Sequence, residues 1–152
     1  MKKTLSFSVS IHCPLSLVWD TMLSPEGYRA WTAAFMEGCY FSGSWEAGQK
    51  IQFLAPNGDG MVAVIAENRL HEFISIRHLG EVIAGVEDTT GPKALTWAPA
   101  YENYTFVETA GTTEVTVDLD TPLAHVAYMQ ETFPRALALL KSLCESKSPS
   151  AA

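Results

Sequence analysis

The chain has 152 residues, a hydrophobic fraction of 47% and a formal net charge of −7. That length fits one domain, large enough to bury roughly 68–70% of its unfolded surface. Its ten Lys and Arg are scattered from Lys2 to Lys147 without a basic stripe, which argues against a nucleic-acid partner and against docking on an anionic membrane.

The first strand is expected over Leu5 to His12, where Leu5, Phe7, Val9 and Ile11 alternate with Ser6, Ser8, Ser10 and His12. This period of two is that of a half-buried strand, so Met1-Lys2-Lys3 does not open a signal peptide. Pro14 suits a first helical turn, and Leu15, Val18 and Met22 keep helical spacing. Ser24-Pro25-Glu26 then offers an N-cap, a proline at the first helical position and an acid against the helix dipole. The second short helix should reach Trp31. Strands follow at Tyr40 to Gly43, Lys50 to Ala55, Met61 to Asn68 and Phe73 to Leu79, with Gly43 to Gly48 a turn and Asn57-Gly58-Asp59-Gly60 a hairpin signal. Tyr101 to Glu108 and Thr113 to Leu119 form a further hairpin around Ala110-Gly111. Short loops between adjacent strands predict an antiparallel sheet.

The stretch from Gly80 to Ala100 has weak periodicity and carries Gly85, Gly91, Pro92 and Pro99. Connections of this length are often lids or binding loops. A short extra strand is expected at Val82 to Val86, and Trp97 is the large apolar side chain that would fold the segment down. Asn103-Tyr104-Thr105 matches a glycosylation acceptor but falls inside an expected strand, and is read as chance.

The last quarter is one amphipathic stretch from Leu123 to Glu145, with Val126, Met129, Phe133, Leu137, Leu140 and Cys144 at steps of three and four. Thr121 and Pro122 are expected as N-cap and first helical residue. Pro134 removes the hydrogen bond to the Gln130 carbonyl and should bend the helix; the alternative is a helix that begins near Thr132. No apolar run reaches the ~20 residues of a bilayer span, so no membrane insertion is expected. Cys13, Cys39 and Cys144 make neither a CxxC pair nor a zinc spacing. An odd number of cysteines suits a reducing, cytoplasmic setting, with Cys144 a small buried hydrophobe. The expected organisation is one α+β domain over 1–146 and a flexible tail over 147–152. Six to seven antiparallel strands curve around the long C-terminal helix, with two short helices after strand one and a hollow between helix and sheet.

Phosphate loops, dinucleotide glycine fingerprints, HExxH and GxSxG are absent from the sequence. His12, His71, His78 and His125 are dispersed, so neither a metal nor a cofactor is expected. Strand register gives a sharper inference. In Phe73 to Leu79 the more apolar face carries Ile74, Ile76 and His78, and should point inward. Glu102 shares a face with Tyr104 and Phe106. His78 and Glu102 would then both look into the hollow, where they could transfer a proton or fix the polar end of a ligand. Pairing with each other, or reaching solvent at the mouth, are the structural alternatives. The expected wall takes Phe53, Met61 or Val62, Ile65, Ile74, Ile76, Tyr104 and Phe106 from the sheet. Trp31 and Phe35 come from the helix pair and the segment after it, Met129 and Phe133 from the long helix, and Trp97 from the long connection. Trp19 and Trp45 read as structural, one anchoring the first helix and the other plugging a turn.

The element order resembles the helix-grip fold of the START-like superfamily, which includes lipid-transfer domains, pollen allergens and polyketide cyclases. Local phrases sharpen the likeness: Ile11-x-x-Pro14 with Val18-Trp19-Asp20, Ser24-Pro25-Glu26-x-Tyr28-x-x-Trp31-Thr32, Gly43-x-Trp45-x-x-Gly48, and Glu102-x-Tyr104-x-Phe106 with Gly111-Thr112-Thr113. They resemble SRPBCC-type proteins named for the activator of the heat-shock protein 90 ATPase, over nearly the whole chain. The resemblance implies a small apolar or amphipathic molecule held under the C-terminal helix. It is also compatible with an enzyme of the polyketide cyclase or hydrolase type using His78 and Glu102, and with a co-chaperone. Full-length activators carry an additional N-terminal domain, whereas this chain starts at once with strand one, so a chaperone partner ranks below a small molecule. A homodimer is left open.

Overall fold

The alternation in the first strand sets the sheet. In the computed structural model, which describes residues 2–147, β1 (Lys2–Ile11) pairs antiparallel with β8 (Thr112–Pro122) along its whole length, from Lys2 opposite Pro122 to Ile11 opposite Thr113. Between them the chain runs through α1 (Leu15–Leu23), α2 (Pro25–Trp31), a 3-10 turn (Thr32–Ala34), β2 (Tyr40–Gly43), β3 (Lys50–Leu54), β4 (Gly60–Arg69), β5 (Phe73–Ile83), β6 (Val86–Asp88), α3 (Pro92–Leu95) and β7 (Ala100–Thr109). After β8 a 3-10 turn (Leu123–His125) leads into α4 (Val126–Lys147). The strand order is β1-β8-β7-β5-β4-β3-β2, with β6 beside the end of β5, and every pairing is antiparallel. This is the helix-grip arrangement, with one strand more than the sequence led us to expect. Most of the expected tail, from 148 on, lies outside the described residues.

Two register shifts between β4 and β5 leave Ala66 and Leu79 without partners. Such bulges bend a strand and raise its twist, and here they lie at the middle of the sheet that faces α4. Along α4, Phe133, Ala136, Leu137, Leu140 and Cys144 are buried. The helix packs against β1, α1, α2 and the first 3-10 turn. Its C-terminal half is also tied to the end of β1: Lys141 Nζ donates to the Ser10 carbonyl at 2.8 Å, and the His12 N–H donates to Glu145 Oε2 at 2.9 Å. A small separate cluster of Leu54, Val62 and Val82, with Tyr40 against it, stands apart from the main core.

Three boundaries differ from expectation. Val82 to Val86 is not a strand but the tip of a hairpin: β5 continues to Ile83, Ala84 and Gly85 turn with φ of 52° and 80°, and β6 returns. Two consecutive positive φ values make the turn whose twist suits a two-residue hairpin. The Gly80 to Ala100 stretch is thus an extension of the sheet followed by α3, and not a lid. Thr121 and Pro122 do not cap α4; both still belong to β8, where Thr121 is 1% exposed and pairs with Lys3. Pro14 is the extended residue flanking α1, with ψ of 148°, rather than its first helical position. The Ser24 cap is as expected, its Oγ accepting from the Gly27 N–H at 3.1 Å with Pro25 opening α2. α4 is continuous through Pro134, which lies on its exposed side.

The corner between α1 and α2 depends on Gly27. A Cβ there would lie 1.6 Å from the Thr21 carbonyl oxygen, which is backbone and cannot move aside cheaply. Gly27→Ala is expected to destabilise the protein by at least about 2–3 kcal/mol, the upper range for overpacking. Urea unfolding checks this; a loss below about 0.5 kcal/mol would show that the corner yields.

Candidate functional site

Between the N-terminal half of α4, the α1–α2 pair and the concave face of the sheet lies a cavity of about 300 Å³. That is the lower end of the range for small-molecule sites. Alternation in β5 and β7 decides which side chains reach it. Ile74, Ile76 and His78 point in from β5, and Glu102, Tyr104 and Phe106 from β7. Phe53 and Met61 come from β3 and β4, Trp31 from α2, Phe35 from the following turn, and Met129 and Phe133 from α4.

Two expected wall residues are elsewhere. Ile65 is fully buried in the core beside the cavity, on a stretch of β4 whose backbone bonds to the Gly48–Gln49 turn. Trp97 follows α3, which packs on β5; it is half-buried, and no residue from Leu79 to Tyr101 lines the cavity. Of the alternatives Met61 and Val62, Met61 faces in, while Val62 joins the separate cluster.

Sequence reasoning missed Tyr28 and Trp45. Tyr28 is three residues before Trp31 on α2, a spacing that places both rings on one helix face. Its ring meets Trp31, Phe41, Trp45 and Phe53 at centroid distances of 5.7, 5.3, 6.3 and 5.9 Å. Trp45 was expected to plug a turn, but its indole forms part of the wall. Its Nε1–H donates to the Leu23 carbonyl at 3.0 Å, and Trp31 Nε1–H donates to the Met22 carbonyl at 3.1 Å. The last carbonyls of α1, which have no partner within the helix, are thus capped by two rings of the cavity wall. Trp19 is structural as expected: it is buried against Phe106 at 5.0 Å, outside the wall. Phe133 stacks on Phe7 at 5.3 Å and meets Phe35 edge-on at 5.0 Å. Tyr128, partly exposed on α4, also lines the cavity, its hydroxyl donating to the Phe35 carbonyl at 3.0 Å.

The polar part of the cavity is compact. His78 is 5% exposed, and its Nε2 lies 2.9 Å from Glu102 Oε1. The Tyr104 hydroxyl donates to Glu102 Oε2. Glu102 and Tyr104 are two apart on one strand, so they share a face, while His78 arrives from the neighbouring strand. Each carboxylate oxygen therefore faces a protein donor, which offsets the cost of placing a charge in an apolar hollow. His78 Nδ1 is buried without a hydrogen-bond partner. A chain of tyrosine, carboxylate and imidazole can pass a proton or hold the polar end of a molecule. Among the described residues no three His, Cys, Asp or Glu side chains gather as a metal-binding group, and no helix is long and apolar enough to cross a membrane.

No family model and no curated protein matches the chain in sequence. Solved structures match it in shape. Protein MLL2253 from Mesorhizobium loti is 12% identical, with 97% of this chain and 100% of that one covered and a TM-score of 0.72. CalU16 from Micromonospora echinospora is 12% identical, with 99% and 78% covered and a TM-score of 0.69. DynU16, from the dynemicin biosynthetic locus, is 18% identical with a TM-score of 0.69; 97% of this chain is covered, but it spans only 49% of DynU16. At such identities the likeness is one of fold, the helix-grip arrangement described above.

Burial, and then the charge of Glu102, push both Tyr28 and Tyr104 well above the ordinary tyrosine range. A raised folded-state value means the native protein resists losing these protons. The stability involved is intact below the ordinary value of about 10 and falls as pH rises above it. In an alkaline titration, two of the five tyrosines should form tyrosinate only as the native circular dichroism is lost, and Tyr104→Phe should remove one of them. All five ionising with the native signal intact would contradict this.

Proposed function

We propose that the cavity binds a small apolar or amphipathic molecule, its body against the aromatic wall and its polar end at His78 and Glu102. The supporting observation is the contrast within one hollow: a largely apolar, aromatic wall of ligand-sized span carries the hydrogen-bonded cluster of Tyr104, Glu102 and His78. Fully packed cores do not keep such a space, because unfilled volume forfeits contact energy. The presence of the fold in proteins of known structure, one of them from a biosynthetic locus, is compatible with this reading.

The neutral fluorescent probe N-phenylnaphthylamine tests it. Emission should rise with one-to-one saturation, and Ile76→Trp, which fills the hollow from β5, should reduce binding at least tenfold while native circular dichroism persists. No enhancement, or enhancement indifferent to the filled cavity, would count against a binding chamber.

A second reading has support of its own in the Tyr104–Glu102–His78 chain, whose three residues all line the cavity. That is an arrangement for proton transfer in an enzyme of the cyclase or hydrolase type. If a reaction occurs, His78→Ala and Glu102→Gln should each lower turnover by 10²–10⁴, the span of general acid–base catalysis, while binding persists. Turnover within a few-fold of the wild type would remove the catalytic role.

A further inference from the structure

The cavity has almost no hydrogen-bond donors left to offer. Trp31 and Trp45 give their indole N–H groups to the α1 carbonyls. Thr32 gives its hydroxyl to the Tyr28 carbonyl at 2.6 Å, and Tyr128 gives its own to Phe35. Tyr104 and the Nε2–H of His78 are both taken by Glu102. Among the described lining side chains this leaves only the Tyr28 hydroxyl and the weak Cys39 thiol.

Acceptors, by contrast, stand open. The Glu102 carboxylate has lone pairs beyond the two in use. His78 Nδ1 is buried away from the cavity surface and adds nothing to this count. The charged residues lining the cavity are Asp59 and Glu102; neither Lys nor Arg is among them.

On this inventory, and resting on the binding reading above, we infer that the ligand's polar end is a hydrogen-bond donor, an alcohol, phenol or ammonium group, and not a carboxylate or phosphate. A donor meets the open lone pairs of the Glu102 carboxylate. An anion there meets a carboxylate, with no Lys or Arg in the lining to offset its loss of water. Fatty acids and acyl phosphates are therefore excluded by their head group, even where their chains fit.

Three probes with one body separate the cases: naphthylmethanol, naphthylmethylamine and naphthoate, measured by calorimetry at neutral pH on the full chain. The alcohol and the amine should bind at least tenfold more tightly than naphthoate, and Glu102→Gln should narrow that gap by strengthening naphthoate. The wild-type comparison decides alone if the variant does not fold. A gap below tenfold, or tighter binding of naphthoate, overturns the inference and leaves the chamber intact. A gap untouched by Glu102→Gln overturns the part given to that carboxylate. No binding by any of the three removes the chamber and the inference together.

Discussion

The hollow exists because α4 is seated firmly at one end only. Its C-terminal half buries Ala136, Leu137, Leu140 and Cys144 without a gap, and Lys141 and Glu145 pin it to the end of β1. Burial of Leu137 and Leu140 contributes about 1.5–3 kcal/mol each. Its N-terminal half carries Met129 and Phe133 over the hollow, Phe133 resting on Phe7 of β1 and on Phe35. The same stripe of apolar residues thus serves as core over one half and as ceiling over the other. Periodicity alone draws no line between the two.

The polar cluster follows from sheet geometry. A carboxylate in an apolar hollow is tolerable only with donors on its oxygens, and strand pairing supplies them from fixed positions: Tyr104 two residues along the same strand, His78 from the adjacent one. The bulge at Leu79 falls immediately after His78, where β5 turns away from β7 towards β6. Beyond that point the other partner of β5 is short and exposed, and β5 itself adds no further residue to the wall. The proposed donor-bearing ligand would complete this arrangement and not create it.

Much of the architecture was legible because local signals and tertiary demands agree. Alternation oriented Ile74, Ile76 and His78 in one strand and Glu102, Tyr104 and Phe106 in another, and Ser24-Pro25 marked the start of α2. The failures came where two signals compete. Thr121-Pro122 is a sound helix-start phrase, yet Thr121 is worth more buried in β8 opposite Lys3 than as a cap. Ala84-Gly85 hid a hairpin because alanine does not advertise a left-handed conformation. Trp97 lies off the wall and Trp45 on it, since an aromatic in a loop carries no period to say which surface it covers. Ile65 shows the remaining limit: facing inward is readable from alternation, but whether the space beyond is filled is not.

The indoles of Trp31 and Trp45 wall the hollow and at the same time close the end of α1. Their replacement would reshape the chamber only by uncapping a helix, so these two positions resist drift. Met36, Met61 and Met129 line the same space without such duties, and thioether chains repack readily. Divergence towards a new guest would therefore be written in the methionines, with the tryptophans left as fixed masonry.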